Sequence, residues 1–85
     1  MYLEILTPQK KIYSGEIKLL KVPGSKGSFE ILKNHAPIIS TLEKGPMKFV
    51  TPENETHTFS IESGVVQVAN NKIIVLAESV LQENE

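Results

Sequence analysis

The residues best suited to acid–base or metal chemistry in this sequence are His35, His57 and ten glutamates, since cysteine and aspartate are absent. A histidine base acting on a nucleophile needs a third group to orient it. Beside His35 the candidates are Ser28 and Glu30, and they fall on alternate positions of a strand-like stretch. His35 itself lies between Asn34, which accepts a left-handed backbone, and Ala36, which Pro37 pushes toward an extended conformation. It reads as a hydrogen-bonded loop anchor or a contact residue rather than a base. His57 shares a strand face with Phe59 and Ile61 and reads as a partly buried cross-strand neighbour. A zinc site would need carboxylates to complete it, and the glutamates have no helix to bring them into register. No catalytic residue, metal site or cofactor is expected.

One further motif touches chemistry. Gly24 and Gly27 stand three apart with Lys26 between them, which could suggest a phosphate cradle. Such a cradle must open into a helix N-terminus, and strand residues follow instead. The stretch is a glycine-supported turn joining two strands.

The elements that position these residues are β-strands. Valine and isoleucine total 16 against three alanines, and β-branched side chains suit a pleated sheet. Leu3 and Ile5 mark a first strand. Ile12-Tyr13 and Glu16 to Val22 follow, separated by Ser14-Gly15. Within the latter the apolar phase slips after Leu19, as at a bulge or where both faces are partly covered. Strands over Ser28 to Leu32, Ile38 to Leu42 and Met47 to Thr51 come next. Pro52-Glu53-Asn54-Glu55 makes a hairpin turn into Thr56 to Ile61, the cleanest two-residue alternation in the chain. Val65 to Ala69 and Lys72 to Ala77 flank Asn70-Asn71, a pair suited to a two-residue hairpin. The reading is an all-β sandwich of about eight to ten short, mainly antiparallel strands, with one domain over residues 1–80 and a polar tail over 81–85.

Length and charge narrow the function. A chain of 85 residues buries only about 60–65% of its surface on folding, which leaves no room for a deep enclosed site. A formal charge of -1 with no arginine argues against a nucleic-acid partner, which demands a basic surface. There is no basic start followed by an apolar run and no bilayer-length apolar stretch. The chain reads as soluble and cytoplasmic, without direct membrane insertion.

Several tracts together carry more. Leu3 to Leu6, Tyr13-Ser14-Gly15, Val22-Pro23-Gly24-Ser25-Lys26-Gly27, His35-Ala36-Pro37-Ile38-Ile39-Ser40-Thr41-Leu42 with Gly45, Ser63-Gly64-Val65-Val66-Gln67-Val68 and Ile73 to Glu78 closely resemble the epsilon subunit of F-type ATP synthases, over almost the whole chain. Glu30 and Asn34 stand where that family often has glycine. The family's usual C-terminal helical hairpin, with its inhibitory role and ATP-binding motif, has no counterpart here. An initiating methionine and a charged end fit a short form of that subunit.

The resemblance implies a non-catalytic central-stalk subunit that links the gamma subunit to the c-subunit ring and couples rotation to ATP synthesis. It also implies a hetero-oligomer, peripheral on the cytoplasmic face of the bacterial plasma membrane. Ser28, Glu30, Asn34 and His35 become the expected ring contacts, on a turn-rich edge running from Gly24 to His35. Ile38, Ile39, Leu42 and Met47 become the expected gamma contacts. The competing reading is a free-standing β-sandwich module for a peptide or carbohydrate, which would want exposed aromatics on one sheet, and the chain has five aromatics and no tryptophan.

Overall fold

A computed structural model describes residues 1–82 of the chain. It contains ten strands and, among the described residues, no helix. They are β1 (Tyr2–Leu6), β2 (Lys11–Glu16), β3 (Leu19–Gly24), β4 (Gly27–Leu32), β5 (Ile38–Leu42), β6 (Gly45–Val50), β7 (Thr56–Ile61), β8 (Gly64–Ala69), β9 (Lys72–Ala77) and β10 (Val80–Gln82). All pairs are antiparallel except β1 with β9.

The strands follow one hydrogen-bonded path, β10-β7-β6-β3-β5-β8-β9-β1-β2, with β4 on the other edge of β3. Between β3 and β5 the path narrows to one residue pair, Gly24 with Leu42. There it divides into two layers. The first is β4-β3-β6-β7-β10 and the second is β5-β8-β9-β1-β2. Alternation along each strand sends Leu20 and Val22, Met47 and Phe49, and Phe59 and Ile61 from one layer against Leu3 and Ile5, Val66 and Val68, and Ile73 and Val75 from the other, all buried. This is the expected sandwich, closed over an apolar core.

Several boundaries differ from the sequence reading, β6 for one starting at Gly45 rather than Met47, and three of them bear on how the layers are built. Ser14-Gly15 does not break a strand; β2 runs through it, because Gly15 leaves the space into which the Tyr13 ring folds. A Cβ on Gly15 would lie 2.9 Å from the Tyr13 hydroxyl. The phase slip within Glu16 to Val22 is neither a bulge nor a doubly covered strand but a corner. Ile17, buried, donates its N–H to the Met1 carbonyl at 2.8 Å, Lys18 donates to that of Val50 at 2.7 Å, and β3 starts afresh at Leu19. At the other end, Leu81 and Gln82 pair with Ser60 and Phe59 of β7, so the sandwich passes the expected limit at residue 80. Of the expected tail, 83–85 lie outside the described residues.

Turn chemistry follows the residue types. Asn70 and Asn71 take φ of 53° and 60°, the left-handed pair that a two-residue hairpin with the right twist requires. Asn54 and Asn34 are also left-handed, at 69° and 67°, and Gly27 has φ 122°. Gly64 answers a different demand. A Cβ there would sit 2.5 Å from the Leu76 carbonyl oxygen across the β8–β9 ladder.

An aromatic stack fastens the layers at β2. The Tyr13 ring packs on Phe49 at 4.4 Å between centroids, and Phe49 stacks on His57 at 5.0 Å and on Phe59 at 5.9 Å. Burial first, then the Glu53 and Glu55 carboxylates and Tyr2, hold the Tyr13 hydroxyl above its ordinary value of 10.0.

Gly64→Ala should destabilise the fold by about 1–3 kcal/mol, the usual cost of forced overpacking; an unchanged urea midpoint would show that β8 and β9 separate freely. For Tyr13 the folded state holds the proton more tightly than the unfolded one. Its contribution is therefore complete below pH 10 or so and lost as pH rises through the folded value. Urea midpoints from pH 8 to 11 should fall more steeply for the native chain than for Tyr13→Phe; parallel curves would remove Tyr13 from the alkaline transition.

Candidate functional site

The strand register decides which of the expected contact residues can act together. β3 and β4 form a hairpin in which Leu19 faces Leu32 at one end and Gly24 faces Gly27 at the other. Six strand residues separate the two ends by about 17 Å. Gly24–Gly27 therefore lies at one pole of the molecule, with the turns at Thr7–Lys10, Glu43–Lys44, Glu62–Ser63 and Glu78–Ser79. The opposite pole collects all four left-handed asparagines.

The expected ring edge is thus split. Ser28 is exposed beside the glycine pole, and Glu30 is exposed halfway along β4, opposite Lys21. Asn34 and His35 belong to the asparagine pole. There the Asn34 N–H donates to Asn71 Oδ1 at 2.7 Å, and Asn71 Nδ2 donates to Asn34 Oδ1 at 2.9 Å. This clasp ties the β4–β5 loop to the β8–β9 turn. The His35 N–H donates to the Leu32 carbonyl at 3.1 Å, and its ring Nδ1 donates to the Ala36 carbonyl at 2.7 Å. A carbonyl only accepts, so the proton sits on Nδ1. The histidine anchors its loop. Its hydrogen bonds go to backbone carbonyls, and no carboxylate among the described residues is bonded to its ring.

The four expected gamma contacts divide as well. Ile39 is 75% exposed, the most exposed large apolar residue described, and Ile38 is half-buried. Leu42 and Met47 are core residues, 4% and 0% exposed. Both point inward by strand alternation, so neither offers surface to a partner.

What the sequence reading missed is the outer face of the second layer. Leu6 pairs with Leu76, Leu76 with Val65, and Val65 with Thr41, making one nearly apolar row across four strands. Beside it runs Ile39, Gln67, Ile74 and Glu4, the last in an ion pair with Lys11. Leu76 is 46% exposed. A groove of about 660 Å³ follows the first row and ends at the glycine pole, between Thr7, Ser63 and Glu78. The signal was legible in Ile73-Ile74-Val75-Leu76. A strand apolar at every position has both faces to cover, and one sandwich core covers only one.

The aromatics do not form a platform. Phe49 and Phe59 are buried, Phe29 and Tyr13 pack against the core, and Tyr2, half-buried on β1, stands apart from them. That arrangement gives a stacking sugar or peptide ligand no flat face. Among the described residues no three His, Cys, Asp or Glu side chains come together as a metal site. His57 Nε2 lies 3.8 Å from a Glu55 oxygen, within the Tyr13–Phe49 stack.

The family model described as the ATP synthase delta/epsilon chain, beta-sandwich domain, matches residues 1–83. An ATP synthase epsilon chain from Chlorobaculum tepidum is 41% identical over 78 residues, covering 92% of this chain and 89% of that one. One from Pelotomaculum thermopropionicum is 37% identical over 83 residues, covering 98% of this chain and 61% of its own length. Among solved structures, a chain of the Euglena gracilis mitochondrial ATP synthase (OSCP/F1/c-ring) superposes with TM-score 0.89 over 94% of this chain and 51% of that chain, at 12% identity. A chain of the Tetrahymena thermophila mitochondrial ATP synthase central stalk and c-ring gives 0.81 over 95% and 65%, at 18% identity. At such identities the likeness is one of fold.

Proposed function

The chain belongs to the ATP synthase delta/epsilon chain family, and on that footing we propose that it is a non-catalytic rotor spacer between the gamma subunit and the c-subunit ring. Rotation passes through it; bond-making is left to the catalytic head. The assembly it joins is membrane-associated, and we place this domain on the cytoplasmic face.

The observation that carries the reading is the apolar outer face of the second layer. Leu6, Leu76 and Val65 in one row, with Ile74 and Ile39 on either side of Gln67 in the next, form an apolar patch of the kind that marks an interface. Gamma covers this face. The proposal keeps Ile39 and half-buried Ile38 from the expected contacts and adds the rows beside them.

The ring contact follows by continuity. The groove on the apolar face opens at the glycine pole, whose turns carry Lys10, Lys26, Lys44, Glu43, Glu62 and Glu78, all exposed. Mixed charge and hydroxyls suit a polar, water-filled contact with ring loops. Ser28 lies on this side, and Glu30 can join from the flank. The body measures 27 × 27 × 23 Å, so a ring touching the glycine pole leaves Asn34 and His35 on the far side. Exposed ion pairs contribute about 0–1 kcal/mol each, so the load is shared among many.

Two experiments test this. Leu76→Glu should keep the β-sheet circular-dichroism signal and weaken binding to the gamma subunit at least about tenfold, roughly 1.4 kcal/mol; a folded variant that co-elutes with gamma as the native chain does would remove this face. Because the sequence has no cysteine, single-cysteine probes are clean. In the assembled synthase Ser28→Cys should cross-link to the ring and His35→Cys should not, and the reverse pattern would invert the orientation.

A further inference from the structure

We infer that the free edge of β5 is a strand-addition site, onto which an extended segment of the gamma subunit pairs and so continues the second layer. The inference rests on gamma docking at the apolar face and says how the docking is registered.

Hydrogen-bond direction is the first argument. β5 pairs along its whole length with β8, from Ile38 with Val68 to Leu42 with Gly64. On its other side it meets β3 only at Leu42. There the Thr41 carbonyl accepts the Ser25 N–H at 3.1 Å, and the Glu43 N–H reaches the Pro23 carbonyl at 2.9 Å. Main-chain groups alternate sides along an antiparallel strand. Those of Ile39 therefore point the same way as the Thr41 carbonyl, away from β8, and among the described residues no strand pairs with Ile39 on that side. An N–H and a C=O two residues along the same edge are a template for another extended chain.

The contrast with the other edges is the second argument. β2 carries Lys11 and Glu16 and is irregular opposite Ile5 and Leu6. β4 carries Glu30, and β10 has three residues. Charge, irregularity and shortness are the usual defences against unwanted pairing. β5 reads Ile-Ile-Ser-Thr-Leu, with no charge, proline, glycine or register shift. An edge left undefended in a stable domain is an edge that is used.

Space is the third. Grooves flank Ile39 on both sides. One, of about 560 Å³, separates β5 from the Gly24–Phe29 hairpin, where an added backbone would lie. The other, of about 510 Å³, is lined by Pro37, Ile38, Ile39, Gln67, Val68 and Ala69 and would take an uncharged apolar side chain. The segment fitting both is extended, apolar toward Ile39 and hydroxyl- or amide-bearing toward Ser25 and Thr41. Ile39 also ends the second row of the apolar face, so the chain that covers this face reaches the edge without a second partner.

Hydrogen exchange resolved to single residues tests it on the whole chain, alone and bound to its cognate gamma subunit. Alone, the Ile39 amide should exchange fast, while Ile38 and Ser40, bonded to β8, are protected. In the complex the Ile39 amide should slow at least about tenfold. A complex of normal affinity with Ile39 still fast overturns strand addition while leaving face docking intact. Loss of docking itself appears differently, as no complex with the native chain or an undiminished one with Leu76→Glu, and strand addition then falls with it. Protection that rises with concentration in the chain alone makes a second copy the occupant and also overturns the proposal. As a second readout, Ile39→Pro removes the edge N–H but no bond to β8, and Ile39→Thr keeps it. The proline variant should bind gamma about five- to tenfold more weakly than the threonine variant, the loss of one interface hydrogen bond. Equal affinities of two folded variants count against the site, and if the proline variant does not fold the exchange result decides.

Discussion

Strand β3 has to belong to two layers at once, and the pair Gly24–Leu42 is where it passes from one to the other. Its first half is locked to β6 from Leu19 to Lys21, its far edge is locked to β4, and only its last residue meets β5. The crossing tolerates no side chain. A Cβ on Gly24 would lie 2.7 Å from the Gly27 carbonyl and 2.8 Å from the Phe29 ring. Two main-chain bonds, Ser25 to Thr41 and Glu43 to Pro23, hold it closed. Everything else follows from that crossing: Leu20, Val22 and Ile31 face the core, β5 enters the second layer, and the turns gather at one pole.

A body fixed at one pole alone could still shear. The asparagine clasp prevents this at the other pole, where Asn34 and Asn71 exchange two hydrogen bonds between the β4–β5 loop and the β8–β9 turn. Midway, Tyr13 lies against Phe49 and ties the edge of one layer to the face of the other. Among the described residues no buried side-chain polar atom lacks a partner. Close packing and satisfied polar groups make such an interior resist deformation. That is the mechanical property a spacer under torque needs, and it arises from ordinary core residues rather than from any special site.

The fold was legible because period-two alternation and turn chemistry are local. His57, Phe59 and Ile61 on one face of β7, and Asn70-Asn71 between two β-branched runs, each carry their meaning within a few residues. The corner at Ile17 was not legible, because its N–H is satisfied by Met1, sixteen residues away in the chain. Nor was the split of the ring edge. Ser28 and His35 are close in sequence, and reading them as one loop placed them together, whereas the strand between them carries them apart. The burial of Leu42 and Met47 was not legible for a related reason: an apolar side chain in a strand looks the same whether it faces a core or a partner, and only the register of its neighbours tells. The resemblance supplied the family and its role, but the surface that gives the role a place had to come from cross-strand rows.

Those rows also set the two faces of the sandwich against each other. On the outer face of the first layer Lys48 lies directly across from Lys21, and Lys21 across from Glu30. Like charges facing one another on adjacent strands are destabilising unless water screens them. The exposed leucines of this layer, Leu32 and Leu81, stand on separate strands at opposite poles and form no patch. A partner that dried this face would have to bury two facing lysines; one that dries the other face buries Leu76, Ile74 and Ile39 with Gln67 among them, and meets charge at the β1 end in Glu4, which Lys11 pairs at 3.2 Å. In the orientation we propose, this asymmetry disfavours the wrong side by the cost of desolvating it as much as it favours the right one by attraction.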